Sequence, residues 1–236
     1  MRRLVPLAIG GAVAAHWAPA VAAVVPAAAW AFGIPTRNPD GAGVLLSFDD
    51  GPHAEGTPAV LAELERAGAH AVFFVCGEQV ERRPEIVREV VAAGHEIGLH
   101  GYRHQTRRHW TRALLLDDTQ RALDAVGAAT GSVPLLYRPP HGVFSLSGLR
   151  VIRDLGLEPL LWSKWGRDWQ PRATPLSIAR RATARIAARD IILLHDADHY
   201  SARGSWRATV SALPPIFAGL AREGLETERW RQSRAG

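Results

Sequence analysis

From residue 44 onward the chain alternates short apolar runs with longer segments whose apolar residues recur at helical spacing, and this alternation restricts the fold more than any other feature. The runs fall at 44–48, 71–75, 96–99, 136–138, 159–162, 191–194 and 225–228, and the helical segments at 57–67, 84–93, 111–130, 147–155, 175–188 and 209–223. Strands separated by helices of this length are joined by crossovers rather than hairpins, so seven strands with six helices between them predict a parallel α/β architecture. The punctuation agrees. Thr57 precedes Pro58, as an N-cap precedes proline at the first helical position, and Gly68 and Gly94 stand where C-terminal glycines belong. With 236 residues, 47% hydrophobic and 22% charged, the chain can bury one sizeable core and lacks the composition of a disordered one.

In a parallel barrel the C-terminal ends of the strands and the loops after them face one mouth. Asp49, Asp50, His100, Arg138 and His195 each stand at or just past a predicted strand end, so five chemically capable side chains from distant parts of the sequence are expected to converge. The segment Ser47-Phe48-Asp49-Asp50-Gly51-Pro52 ends its strand with adjacent carboxylates, which a confined site keeps ionised together only beside a cation or a donor. A turn carrying an Asp pair is the plainer reading. His100-Gly101-Tyr102-Arg103-His104 spaces two imidazoles four apart, on one face if the segment is helical, while Gly101 favours a tight loop facing the mouth. With Asp50 they would make a two-histidine, one-carboxylate metal site that leaves positions open for water, as a catalytic metal needs. A pair of surface histidines is the alternative. In Arg138-Pro139-Pro140-His141-Gly142 a rigid Pro-Pro holds one guanidinium and the glycine permits close backbone approach, which suits an oxyanion site or an ordinary strand-to-helix connection. Asp168 stands among Trp162, Trp165 and Trp169, a grouping found both in cores and at sugar sites. His195 closes the apolar run Ile191-Ile192-Leu193-Leu194 and, at the same mouth as a metal site, becomes a general-acid candidate.

The formal charge is +5, yet Lys164 is the one lysine among 28 basic residues and no basic stripe is interleaved with aromatics, so no nucleic-acid partner is expected. The single cysteine, Cys76, excludes an internal disulfide and a cysteine-cluster zinc site, and reads as a small core residue. Residues 1–36 read as a signal peptide or an N-terminal membrane-associated apolar segment, because Arg2 and Arg3 precede a stretch, 4–35, that holds no formal charge. Pro6, Pro19 and Pro26 make a straight spanning helix imperfect, so cleavage, anchoring and packing on the domain all stay open. Either of the first two would place the catalytic domain in the cell envelope, outside the membrane. Residues 37–43 read as a linker, 44–230 as the catalytic domain and 231–236 as a tail. Arg103, Arg107, Arg108 and Arg112 read as solvated loop and helix-start residues, Asp198 and His199 as loop residues, and 201–206 as part of a rim.

Taken together, these segments resemble the polysaccharide deacetylases of the NodB-homology group, carbohydrate esterase family 4, whose five motifs match in order 47–52, 100–104, 138–142, the Asp168-Trp169 segment and 193–195. The resemblance implies a distorted (β/α)7-type barrel of parallel strands in a single catalytic domain. It implies a metal-dependent hydrolase that removes N-acetyl groups from N-acetylglucosamine-type residues of a polysaccharide or oligosaccharide. It assigns Asp49 as base, His195 as acid, and Asp50, His100 and His104 as ligands of a divalent metal, zinc by default, with cobalt, nickel or manganese able to take its place. Arg138 would hold Asp49 ionised and Asp168 would orient His195. The His141 amide would complete an oxyanion site, and His141, Trp169, Pro139 and Gly142 would line the sugar pocket. The implied partner is an N-acetylated glycan bound by a monomer, with membrane association open through residues 4–35. Two positions depart from the pattern: Gly101, where Ser or Thr is usual, and His141, where Tyr is common. An O-acetyl ester or a lipid-linked sugar is the alternative substrate, and a sugar-binding barrel without turnover is the alternative outside enzymes.

Overall fold

The computed structural model describes residues 13–105 and 111–230. The apolar runs become the strands β1 (Leu45–Asp49), β2 (Ala71–Val75), β3 (Glu96–Leu99), β4 (Leu136–Tyr137), β5 (Glu158–Pro159), β6 (Lys164–Trp165) and β7 (Ile191–His195). β1 and β2 are buried along their whole length and β7 at all but its last residue, which is why they read as unbroken apolar stretches rather than alternating ones. Every pairing is parallel and the order is β5-β4-β3-β2-β1-β7-β6. This is the sequence of a barrel wall with a gap between β5 and β6, so the fold is the expected distorted (β/α)7 barrel in one domain. Around it run the helices α1 (Pro26–Ala31), α2 (Gly56–Ala67), α3 (Gly77–Arg82), α4 (Pro84–Ala92), α5 (Arg112–Thr130), α6 (Leu146–Asp154), α7 (Pro175–Ala182) and α8 (Ser205–Arg222). On the face of the sheet opposite Ser47, Asp49 and Phe74, Phe48 stacks on Phe73 with ring centroids 5.1 Å apart, and both are buried. Truncating either to Ala would cost about 3–5 kcal/mol, since a close-packed core collapses only partly around the void.

Several elements differ from expectation. The run 225–228 is no strand: it touches the sheet through one parallel bridge, Val44 to Thr227, because from Leu45 onward β1 is already paired on one side with β2 and on the other with β7. The run 159–162 is strand at Pro159 alone, where β5 ends, and β6 lies beyond it at Lys164–Trp165. The segment 175–188 is helical only to Ala182, where the Thr183 hydroxyl bonds back to the Ala179 carbonyl and Arg185 turns to φ 51°. α3 is an added helix, and α8 begins four residues before the predicted 209. Thr57 is not an N-cap. Helix α2 starts at Gly56, and the Thr57 hydroxyl accepts from the His53 amide and donates to Asp196.

The predicted linker is docked on the domain: Asn38 is fully buried, its amide donates to the Arg189 carbonyl, and its side chain donates to Glu228. Residues 13–36 lie against the barrel as well, with Pro19, Ala22, Ala29 and Ile34 buried. At the gap between β5 and β6 the Leu161 amide, which has no neighbouring strand to pair with, donates to the Pro35 carbonyl at 2.9 Å. The Arg153 guanidinium closes the same seam by donating to the carbonyls of Phe32 and Gly33. No helix among the described residues is long and apolar enough to cross a membrane. Arg2, Arg3, Arg107, Arg108 and the tail 231–236 lie outside the described residues. Arg112 pairs with Asp154 at 2.6 Å, and Cys76 is a free, buried thiol.

Candidate active site

The five strand-end residues meet at one mouth. Asp49 ends β1 directly beside His195 at the end of β7, His100 follows β3, and Arg138 follows β4. Asp49, Asp50, His100 and His195 line a cleft of about 220 Å³ together with His104, His141, Gly142, the three tryptophans 162, 165 and 169, and Tyr200, while Arg138 lies buried behind it. Pro139 does not line it; it faces a separate small pocket shared with Trp17 and Val143.

The adjacent carboxylates are driven apart in environment. Arg138, wholly buried, donates from Nη1 to Asp49 Oδ1 at 2.6 Å and to Ser47 Oγ at 2.9 Å, while its Nη2 and Nε meet the carbonyls of Leu161 and Leu160 at 3.2 and 3.4 Å. The guanidinium also lies 4.0 Å from the centre of the Phe74 ring. Five contacts fix it, and its charge offsets that of a carboxylate that burial would otherwise disfavour. Asp50 turns the other way through a left-handed backbone, φ 79°, an unusual conformation for Asp that persists where the surroundings over-determine it.

Asp50 Oδ1 is buried without a hydrogen-bond partner, although His104 Nε2 and His100 Nε2 come within 3.3 and 3.5 Å of it. His100 donates from Nδ1 to the Arg138 carbonyl at 2.8 Å, which leaves its Nε2 facing Asp50. Burial and the neighbouring His100 push His104 down to about 3, so its imidazole is neutral. Three potential ligand atoms, one from each side chain and all within 4.8 Å of one another, fit a divalent cation of the kind that accepts nitrogen and carboxylate ligands. The His pair does not share a helix face. The segment from Gly101 to Gln105 is non-helical, and Gly101 at φ 79° swings His104 back over the mouth.

On the opposite side, Asp168 accepts from His195 Nδ1 at 2.9 Å, from the His195 amide at 2.7 Å and from the Thr209 hydroxyl at 2.7 Å. Burial opposes charge on His195, but the Asp168 carboxylate prevails and raises the imidazole to about 10. Trp169 stands edge-on to His195 at 5.4 Å and continues through Trp165 to Trp162, forming an apolar wall beside that imidazole. His141 sits at φ 59° in a tight turn, and burial lowers its imidazole below 6.5.

Four contributors were not singled out from sequence. Ser47 anchors Arg138, and a lone hydroxyl in an otherwise apolar run was the available signal. Thr209 holds the second oxygen of Asp168. Tyr200 stacks on His104 with rings 4.4 Å apart and 11° from parallel, and its hydroxyl donates to Glu78 at 2.7 Å and accepts from Gln79 at 3.1 Å. Asp196, one residue beyond His195, is buried, and burial pushes its carboxyl up to about 7 despite the Thr57 hydroxyl donating to it. Nearby, His53, Asp198 and His199 form a second cluster of potential ligand atoms. Their polar atoms are committed to the loops: His53 Nδ1 accepts the amides of Glu55 and Gly56, leaving Nε2 to donate to Asp198 at 3.2 Å, and His199 Nε2 meets the Pro52 carbonyl.

The chain is similar to known proteins in sequence and in fold. A family model described as polysaccharide deacetylase matches residues 36–160. A peptidoglycan-N-acetylglucosamine deacetylase of Bacillus cereus is 34% identical over an alignment covering 77% of this chain and 83% of that protein. A chitooligosaccharide deacetylase of Azorhizobium caulinodans is 34% identical, covering 77% of this chain and 89% of that protein. Among solved structures, a family 4 carbohydrate esterase from Streptomyces lividans in complex with acetate superposes with a TM-score of 0.72 at 30% identity, covering 80% of this chain and 93% of that one.

Proposed function

The chain belongs to the polysaccharide deacetylase family, the NodB-homology group of carbohydrate esterase family 4, and on that premise we propose that it releases acetate from N-acetylglucosamine residues of a cell-envelope glycan with the help of a divalent metal. It is a hydrolase of carbon–nitrogen bonds other than peptide bonds. The observation that carries the finer reading is the division of labour at the end of β1: Asp49 is committed to Arg138, Asp50 to the histidine pair, and the His195–Asp168 pair faces both across one cleft.

Asp50, His100 and His104 would hold the cation, which when bound supplies Lewis acidity to the amide carbonyl and to a nearby water. Arg138 occupies Asp49 Oδ1, so Oδ2 takes the proton as water attacks the acetyl carbon. The His141 amide, presented by its tight turn, donates to the developing oxyanion. His195 carries a proton on each nitrogen at neutral pH. Nδ1–H stays with Asp168, and Nε2–H passes to the departing nitrogen, which would otherwise leave as a very poor amide anion. The tryptophan wall offers its faces to the apolar side of a sugar ring. The test is acetate release from an N-acetylglucosamine oligomer set beside release from an O-acetylated, N-unsubstituted glycan. Faster turnover of the amide supports the reading, and hydrolysis of the ester alone contradicts it.

A further inference from the structure

The segment 13–35 is outside the residues matched by the family model, yet it is part of the barrel's packing. Its inner side chains, Ala22, Ala29 and Ile34, belong to the core, and Pro35 supplies the hydrogen bond at the gap between β5 and β6. Its outer side chains are apolar too. Val13, Val21, Val24, Val25 and Trp30 are exposed, Val24 at 67% and Trp30 at 86%, and they make up half of the ten exposed large apolar side chains among the described residues. The other five are scattered over α4, α5, α7 and the loop before β4. A surface element of a soluble domain normally turns charge outward, whereas this one has no formal charge from residue 13 to residue 36. Exposed apolar side chains concentrated in one uncharged segment mark a surface that meets a protein or a membrane.

From these observations we infer that residues 13–36 form a membrane-docking surface, lying in the headgroup region of a bilayer that contains anionic lipid and holding the catalytic cleft beside it. A lipid surface fits the face better than a protein partner does. Apart from His16, Thr36 and the two indole N–H groups the segment offers no side-chain donor or acceptor for a polar rim. Residues 4–12 continue the uncharged apolar sequence and end at Arg2 and Arg3, an arrangement of apolar length and terminal cation suited to anionic headgroups. Trp30 is the residue type that settles at the boundary between headgroup and hydrocarbon. Pro19 and Pro26 break the segment into short helices that can lie on a surface but not cross it. The cleft moves with the segment. A Cβ built on Gly142, which lines the cleft at φ 68°, would meet Trp162 at 2.5 Å and the Ala23 methyl at 3.2 Å, so the docking segment and the site wall share a seam.

The inference stands apart from the reaction assigned above, and so does its test. The full chain is sedimented with vesicles of phosphatidylcholine, and with vesicles of three parts phosphatidylcholine to one part phosphatidylglycerol. It should pellet with the anionic vesicles, and the exposed-face variant Val24→Asp/Trp30→Glu should bind about tenfold or more weakly. That variant should keep the wild-type melting temperature and the wild-type acetate release from soluble oligomers. Four results would overturn the inference: wild-type protein left in the supernatant with both vesicle types, the double variant pelleting like wild type, wild-type dimers by light scattering that the variant abolishes, or a cell-derived chain whose mass shows residues 13–36 removed.

Discussion

Replacing Asp168 by Asn tests the acid half of the site, because it removes one charge while nearly preserving shape. In the native arrangement the Asp168 carboxylate holds His195 at about 10 against the burial that opposes its charge. Without that carboxylate the burial remains, and the imidazole should titrate at or below its ordinary 6.5. At pH 8 an imidazole titrating near 10 is about 99% protonated, whereas one at 6.5 is about 3% protonated, so the population of competent acid falls about thirtyfold. Asn also offers one acceptor oxygen to three donors, the His195 amide, His195 Nδ1 and the Thr209 hydroxyl, which leaves buried donors unpaired at about 1–3 kcal/mol of stability. The assay is kcat for acetate release between pH 6 and pH 10. Asp168→Asn should lose about thirtyfold at pH 8, lose much less near pH 6, and show its alkaline limb moved down by more than three pH units. An equal loss at every pH would refute the reasoning, since it would mean that Asp168 only positions the ring and does not hold its proton.

Three further outcomes follow from the same geometry. Asp49→Asn should lower turnover by about 10²–10⁴-fold with metal content unchanged; it should also lower the melting temperature, because the fully buried Arg138 loses its counter-charge at a cost of about 3–5 kcal/mol. Tyr200→Leu should weaken metal retention in chelator competition by about tenfold or more while Tyr200→Phe leaves it near wild type, since the ring stacked on His104, not its hydroxyl, sets the imidazole plane. The raised His195 adds stability that is complete below its unfolded value of 6.5 and is lost as pH climbs through about 10. The wild-type urea midpoint should therefore decline across that window, and Asp168→Asn should flatten the decline.

What could be read in advance followed from strand ends. Asp49, Asp50, His100, Arg138 and His195 each stand within two residues of the close of an apolar run, and a parallel barrel brings such positions together whatever their separation in sequence. Contacts that depend on loop trajectory were not legible. Gly101 signalled a turn, but the swing that sets His104 against Tyr200 depends on where the loop after β7 travels. β6 is two residues long, too short for any periodicity, and is defined by its neighbour β7. The stretch 225–228 has the alternation of a strand and fails to become one only because β1 has no open edge left from Leu45 onward, which is a property of the sheet and not of the segment. Likewise the turn-rich stretch 37–43 looks detachable until Asn38 is seen buried against Arg189 and Glu228.

The central claim is that Asp50, His100 and His104 hold a divalent metal on which amide hydrolysis in this cleft depends. Its most direct test is acetate release from short N-acetylglucosamine oligomers by the full chain, measured as prepared, after chelator, and after zinc or cobalt is restored, with bound metal counted at each stage. The account predicts one metal per chain, loss of release with chelator and recovery on restoration, with His100→Ala and His104→Ala unable to recover. Full release from metal-free protein would contradict it.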